Sequence, residues 1–182
     1  MVAFTRQVPD GDTHERDVCG TCGYVAYTNP KIVTGSVVVH DTQVLLCRRA
    51  IEPRRGYWTL PAGYLELHET VAEGAQREAL EEAGAHIALD GVLAFYSISR
   101  IGQVQIFFRA RFASAPDFAP GIESLDVRLF AWDDIPWSDL AFPTVHWALH
   151  AWRDTGDGPL GAPATNPPAD PRGLSPEAPA AL

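Results

Sequence analysis

Three glutamates in one short segment are the residues best suited to chemistry. Glu78, Glu81 and Glu82 stand at positions i, i+3 and i+4, so a helix would place their carboxylates on one face. Like charges at this spacing repel unless a cation lies among them, and carboxylate oxygens are the ligands that Mg²⁺ and Mn²⁺ prefer. The spacing alone fits either a divalent metal site or a solvated acidic face.

The segment that carries the glutamates has the signals of a helix. Thr70 with Glu73 three residues later forms a capping-box start, and Gly84 marks the end. Gly74 lowers helix propensity by roughly 1 kcal/mol. Because small apolar residues share its side of the helix, we expect close packing against a sheet to compensate.

The framework around the glutamates has a fixed spacing. Gly63 is followed after five residues by Glu69, and after seven more by the run Arg77–Ala85, REALEEAGA. This arrangement resembles the Nudix box, and all seven of the fixed residues of the box are present. Seven such matches would arise by chance in roughly one chain in a million. Ala85 is a departure, because the family usually has a larger aliphatic residue there.

The resemblance implies a metal-dependent hydrolase that cleaves a pyrophosphate bond. The metal, Mg²⁺ or Mn²⁺, would be held by the carboxylates of Glu78, Glu81 and Glu82 and by the carbonyl of Ala62, with Glu81 acting directly or through water. Arg77 and Glu69 are expected to form an ion pair that supports the catalytic loop. The family often draws its base from outside the box. Glu123, in the segment PGIES, is our candidate, and an ordinary loop carboxylate is the alternative.

Further stretches within about residues 10 to 153 resemble a Nudix subgroup of ADP-ribose and FAD pyrophosphatases. The substrate implied is a small nucleotide, namely ADP-ribose, FAD or a related dinucleotide, and dimers are common among such proteins. An adenine or flavin ring needs an aromatic platform, for which Tyr27, Tyr57 and Trp58 are candidates. Burial in the core is the alternative for each. Arg54 and Arg55 could meet a phosphate or form an exposed basic loop.

A CxxC knuckle, Cys19 and Cys22, precedes the Nudix-like region. In the similar proteins it is half of a four-cysteine zinc ribbon. Residues 1 to 18 contain no cysteine, and His14 is the one nearby extra ligand. We therefore favour a knuckle without Zn²⁺, keep zinc binding as the alternative, and expect Cys47 to be a core residue.

Composition narrows the classes of partner. The chain of 182 residues has a net charge of −9, with 46% hydrophobic and 20% charged residues. This charge argues against a nucleic-acid partner and against RNA cap removal, and no apolar run reaches the length of a membrane helix. Without a secretory signal we expect a cytoplasmic protein. A nucleotide-sensing module without catalysis is the rival, although a sensor has no need for every metal ligand.

The chain pattern predicts an α+β fold, specifically an α/β/α sandwich with a mixed sheet and a catalytic loop-helix-loop. We expect a turn-rich segment at 1–30, the hydrolase domain at 31–154 and a disordered Pro/Ala-rich tail at 155–182. The predicted elements are a hairpin of Ile32–Val39 and Val44–Arg48 with a four-residue loop, strands at Val92–Arg100, Gln103–Phe112 and Val127–Trp132, and a helix at Thr144–Asp154.

Overall fold

The computed structural model describes residues 3–168. The chain divides into two compact units, Met1–Pro30 and Lys31–Leu182. The first unit contains an antiparallel sheet of β1 (Phe4–Gln7), β2 (Arg16–Cys19) and β3 (Val25–Ala26). We predicted a turn-rich segment here and did not predict these strands, because strands of two to four residues are too short to show an alternating pattern.

The second unit is built on a mixed sheet. Its strands are β4 (Lys31–His40), β5 (Gln43–Arg49), β6 (Trp58–Thr59), β7 (Ala62–Tyr64), β8 (Ile87–Ile98), β9 (Gln103–Phe112) and β10 (Ser124–Ala131). Their order is β10-β5-β4-β9-β8, with β6 paired to β5 and β7 to β4. Strands β4 and β9 are parallel and the other pairs are antiparallel. The predicted hairpin loop was too long, because His40 pairs with Gln43 and leaves a two-residue turn.

Two helices, α1 (Val71–Ala83) and α2 (Pro143–Thr155), cover opposite faces of this sheet. Successive side chains of a strand point to opposite faces, and Val37 and Val38 of β4 accordingly belong to two separate apolar clusters. The cluster of Val38 includes Ala79 and Ala83 of α1. The predicted α+β sandwich is therefore confirmed. Within residues 3–168, no helix has the length and apolar character needed to cross a membrane.

The helix that carries the glutamates begins and packs as its sequence predicts. Thr70 and Glu73 form the reciprocal capping box, and Gly84 ends the helix at φ 61°. A Cβ atom on Gly74 would lie 2.7 Å from Cγ2 of Thr34 on β4. Any side chain at position 74 would therefore push α1 and its glutamates away from the sheet.

The segment after α2 is ordered where the structure describes it, so the predicted disorder is wrong for residues 155–168. The backbone of Ala164 pairs with the edge of β8, through N–H to the Leu93 carbonyl and through C=O to the Phe95 N–H, both at 2.9 Å. The side chain of Asn166 accepts from the N–H of Ser97 and donates to its carbonyl, at 2.8 and 2.9 Å. These contacts are made by backbone groups and by one side-chain amide. They could not be predicted from the sequence, because they produce no periodic pattern of apolar residues. The rest of the predicted tail, 169–182, lies outside the described residues.

Candidate active site

Arg77 is the centre of a carboxylate network. Its Nε and Nη2 donate to both oxygens of Glu69, at 2.9 and 2.8 Å, and Nη1 donates to Glu78 at 2.7 Å and to Glu81 at 2.9 Å. The pairing of Arg77 with Glu69 that the sequence predicted is present, and it is bidentate. The hydrogen bonds from Arg77 lower the pKa of Glu69 to about 2. A further bond from Nη2 to the Tyr64 carbonyl, at 3.0 Å, fastens the loop before α1 to the helix.

Two of the glutamates are buried, although their charges favour water. Glu78 and Glu82 are only 8% and 6% exposed. Burial raises the pKa of Glu82 to about 8, helped by the charges of Glu78 and Glu123 and opposed by the Ala62 N–H, which donates to Oε2 at 3.0 Å. Burial also raises the pKa of Glu78, against the effect of Arg77. The pKa values of both carboxylates stay raised although Arg77 pairs with Glu78 and the charge of Arg49 acts on Glu82, so these two arginines do not offset the cost of burial.

The backbone leaves space for these carboxylates at Gly63. A Cβ atom there would lie 2.3 Å from Oε1 of Glu78, so a side chain at this position would displace the carboxylate. Among residues 3–168, no group of three or more His, Cys, Asp or Glu residues is arranged to hold a metal ion, since Glu78 and Glu81 are turned toward Arg77. The donors themselves, buried carboxylate oxygens of raised pKa, fit a hard divalent cation.

The loop between β9 and β10 brings Glu123 to the same cleft. Gly121 donates its N–H to the Glu82 carbonyl at 3.1 Å, and the Glu123 carbonyl accepts from the N–H of Ala50 at 2.8 Å. A Cβ atom on Gly121 would lie 1.7 Å from the Glu81 carbonyl oxygen. The loop therefore contacts the C-terminal end of α1. The negative charge of Glu123 contributes to the raised pKa of both buried glutamates.

Basic side chains line the cleft beside the glutamates. The predicted pair, Arg54 and Arg55, is there, and so is Arg49, which was not predicted from the sequence. Arg49 donates from Nε to the Pro53 carbonyl at 2.9 Å, and its charge counteracts the rise in the pKa of Glu82. The sequence offers two adjacent arginines at the end of β5. Knowing which of them faces the cleft requires the register of the strand.

The predicted aromatic platforms have different surroundings. Tyr57 lines the cleft, with the guanidinium of Arg54 5.2 Å from its ring centroid. Trp58 is only 8% exposed and packs edge-on against Phe130, with Arg128 over its ring. Trp58 is thus a core residue with no open face for a ligand, because it lies on the central sheet and not on the loop before it.

The remaining predicted residues lie in the first unit. Tyr27 is exposed, and the guanidinium of Arg16 lies 5.2 Å from its ring centroid. Cys19 is buried and Cys22 is exposed, whereas the imidazole of His14 pairs with the hydroxyl of Thr13. In the described part of the chain no third donor joins the two thiols in a group that could hold a metal ion. Two thiols do not fit a closed tetrahedral zinc site.

Comparisons with known proteins agree on one family. The sequence-family model of the NUDIX domain matches residues 30–154, and the family model of the Nudix N-terminal segment matches residues 3–28. A solved structure of a NUDIX hydrolase from Nitrosomonas europaea is 42% identical, with a TM-score of 0.84, over 91% of this chain and 94% of that chain.

Curated relatives match over shorter segments. A MutT-like protein of Streptomyces ambofaciens is 39% identical over 79 residues, which are 43% of this chain and 49% of that protein. The ADP-ribose pyrophosphatase of Methanocaldococcus jannaschii is 34% identical over 74 residues, 41% of this chain and 44% of that protein. The matches thus span about half the length of these two relatives.

Proposed function

Because the chain belongs to the Nudix family, we propose that it hydrolyses the pyrophosphate bond of a nucleoside diphosphate linked to a second moiety, with ADP-ribose as the first candidate substrate. The products would be AMP and ribose 5-phosphate. The observation that carries the proposal is the pair of buried carboxylates, Glu78 and Glu82, which share one cleft with Glu123 and a basic loop.

A divalent cation, Mg²⁺ or Mn²⁺, is part of the proposal. Glu78 and Glu82 would hold it, with Glu81 and the Ala62 carbonyl as the further ligands. Such a cation neutralises the diphosphate and lowers the pKa of a bound water. Arg77 would remain paired with Glu69 when Glu78 and Glu81 turn away from it, because the bidentate contact does not depend on either of them.

The remaining roles follow from chemistry and position. Arg49, Arg54 and Arg55 would face the substrate phosphates, since planar guanidinium groups match phosphate oxygens. Glu123 would accept the proton of the attacking water. Its backbone lies on a loop that is hydrogen-bonded to the backbone of α1 and of Ala50, so the segment that carries it is held beside the buried glutamates.

The choice of ADP-ribose rests on two supports. One relative that matches in part is an ADP-ribose pyrophosphatase. The cleft, with a volume of about 2950 Å³, exceeds the 300 to 1,000 Å³ of most small-molecule sites and has room for both halves of a dinucleotide. FAD and related dinucleotides therefore stay in the substrate class.

The test is hydrolysis by purified protein of ADP-ribose, FAD, NADH, diadenosine polyphosphates, capped RNA and nucleoside triphosphates, with Mg²⁺ or Mn²⁺. We expect AMP to be released from ADP-ribose, and release to stop when EDTA is added. Glu123→Gln should lower kcat by about 100-fold or more, whereas Glu15→Gln, an exposed glutamate of the first unit, should not. Tight binding of ADP-ribose without turnover would instead favour a sensing module.

A further inference from the structure

A row of uncharged polar side chains lines the cleft on the sheet. Gln103 and Gln105 are alternate residues of β9, so they point to the same face, and both line the cleft together with Tyr64 of β7. Val33 of β4 pairs with Tyr64 of β7 on one side and with Gln105 of β9 on the other, so β7 and β9 flank β4. The three side chains therefore share one surface.

Hydrogen bonds give this row a direction. Nε2 of Gln105 donates to Oε1 of Gln103 at 2.9 Å, and Nε2 of Gln103 donates to the hydroxyl of Tyr64 at 3.1 Å. The Tyr64 hydroxyl accepts in this chain, so its proton is left to donate, and Oε1 of Gln105 is left as an acceptor. In the part of the chain that the structure describes, the Tyr64 hydroxyl proton and Oε1 of Gln105 make no hydrogen bond to another protein group, and both residues line the cleft.

The row is adjacent to the candidate catalytic loop. Tyr64 follows Gly63 directly, and its carbonyl accepts from Arg77. The side of the cleft that we propose to bind phosphate carries arginines, whereas these three side chains are uncharged and offer one oriented donor and one acceptor, with the Lys31 ammonium 5.0 Å from the Tyr64 ring centroid. Paired donors and acceptors of this kind recognise hydroxyl groups, which act as both.

We propose that Tyr64, Gln103 and Gln105 form a subsite that binds the ribose hydroxyls of the substrate. This inference rests on the proposed function for its occupant, and the ribose can belong to the adenosine or to the second half of the molecule. The subsite would orient the sugar, while the cations bind the diphosphate. It would then discriminate between substrates by their hydroxyl groups, since a polar group that the bound ligand covers and leaves unpaired weakens binding.

The test is a binding titration that requires no turnover. Dissociation constants of ribose 5-phosphate, AMP and inorganic phosphate are measured by ligand-observed NMR for the wild type, Gln105→Leu and Tyr64→Phe. We expect both variants to weaken binding of ribose 5-phosphate or of AMP by about 3- to 10-fold, the range of one neutral hydrogen bond, and to leave phosphate unchanged. The ligand that is affected identifies which ribose is bound.

The matched control is Gln43→Leu, which makes the same substitution at the start of β5, away from the cleft-lining residues. It should bind all three ligands as the wild type does. The inference is overturned if both variants bind the two sugar phosphates with wild-type affinity, or if the wild type binds neither of them more tightly than phosphate. Failure of the wild type to hydrolyse ADP-ribose is a separate result, which would contradict the proposed function and not the binding of ribose hydroxyls.

Discussion

Replacement of the buried carboxylate of Glu82 should stabilise the metal-free protein while it abolishes activity. Glutamine at this position can still accept the hydrogen bond from the Ala62 N–H, but it carries no charge. A carboxyl group whose pKa is raised by folding contributes stability below its unfolded pKa, here 4.5, and that stability is lost as the pH rises through the folded pKa of about 8. The wild type should therefore become less stable across this window.

The size of the effect follows from the shift in pKa. One pKa unit corresponds to about 1.4 kcal/mol. At pH 7.5 the raised pKa of Glu82 therefore lowers the free energy of unfolding by up to about 4 kcal/mol relative to a group whose pKa folding does not shift, as an upper bound for a group that lies deep in the protein. A saturating divalent cation at about 100 times its Kd would return about 2.7 kcal/mol to the wild type.

Urea unfolding at pH 5.5 and pH 8, with EDTA or with Mg²⁺, measures both effects. We expect the wild type and the control Glu15→Gln to lose about 3 kcal/mol between the two pH values in EDTA, and Glu82→Gln to lose much less. Mg²⁺ should stabilise the wild type at pH 8 and have little effect on Glu82→Gln. The reasoning is refuted if Glu82→Gln is less stable than the wild type in EDTA at pH 8, or if both lose equal stability.

Two further substitutions test the segments that surround the cleft. Gly121→Ala would place a Cβ atom against the Glu81 carbonyl oxygen and shift the loop of the candidate base, so kcat should fall by about 100-fold, whereas Gly161→Ala, with open space around it, should have wild-type kcat. Asn166→Ala removes both bonds to Ser97 and should lower the free energy of unfolding by about 1 to 2 kcal/mol. It should also speed hydrogen exchange of the Ser97 amide, and unchanged exchange relative to Thr165→Ala would contradict this role.

The Nudix framework was visible in the sequence because its residues act through local spacing. The capping box of Thr70 and Glu73 lies within one helical turn, and Glu69 and Arg77 are eight residues apart. The capping contact depends on helix geometry, and the contact of Arg77 with Glu69 joins the helix to the loop directly before it, so both lie within one short stretch of sequence. The burial of Glu82 was not predicted, since it depends on how closely α1 approaches the sheet.

Residues that line the rest of the cleft come from strands that are distant in sequence. Gln103 and Tyr64 meet because β4 lies between β7 and β9, and the parallel pairing of β4 with β9 cannot be read from either strand. For Trp58 the sequence left both a cleft position and burial in the core open, because the step from the half-buried Tyr57 to the buried Trp58 at the start of β6 depends on where the strand begins. A shift of one residue reverses the face of every side chain in a strand.

This division between local and distant contacts has a functional consequence. The proposed cation ligands Glu78, Glu81 and Glu82 lie on one helix, and Ala62 lies on the nearby strand β7, so all four belong to one short stretch of sequence. The residues that we propose to bind the substrate come from four or more segments that are distant in sequence, and the residues after α2 contact β8 through Asn166. Changes in those segments can alter which nucleotide is bound without disturbing Glu78, Glu81 and Glu82, and this is the physical reason why the motif identifies the reaction but not the substrate.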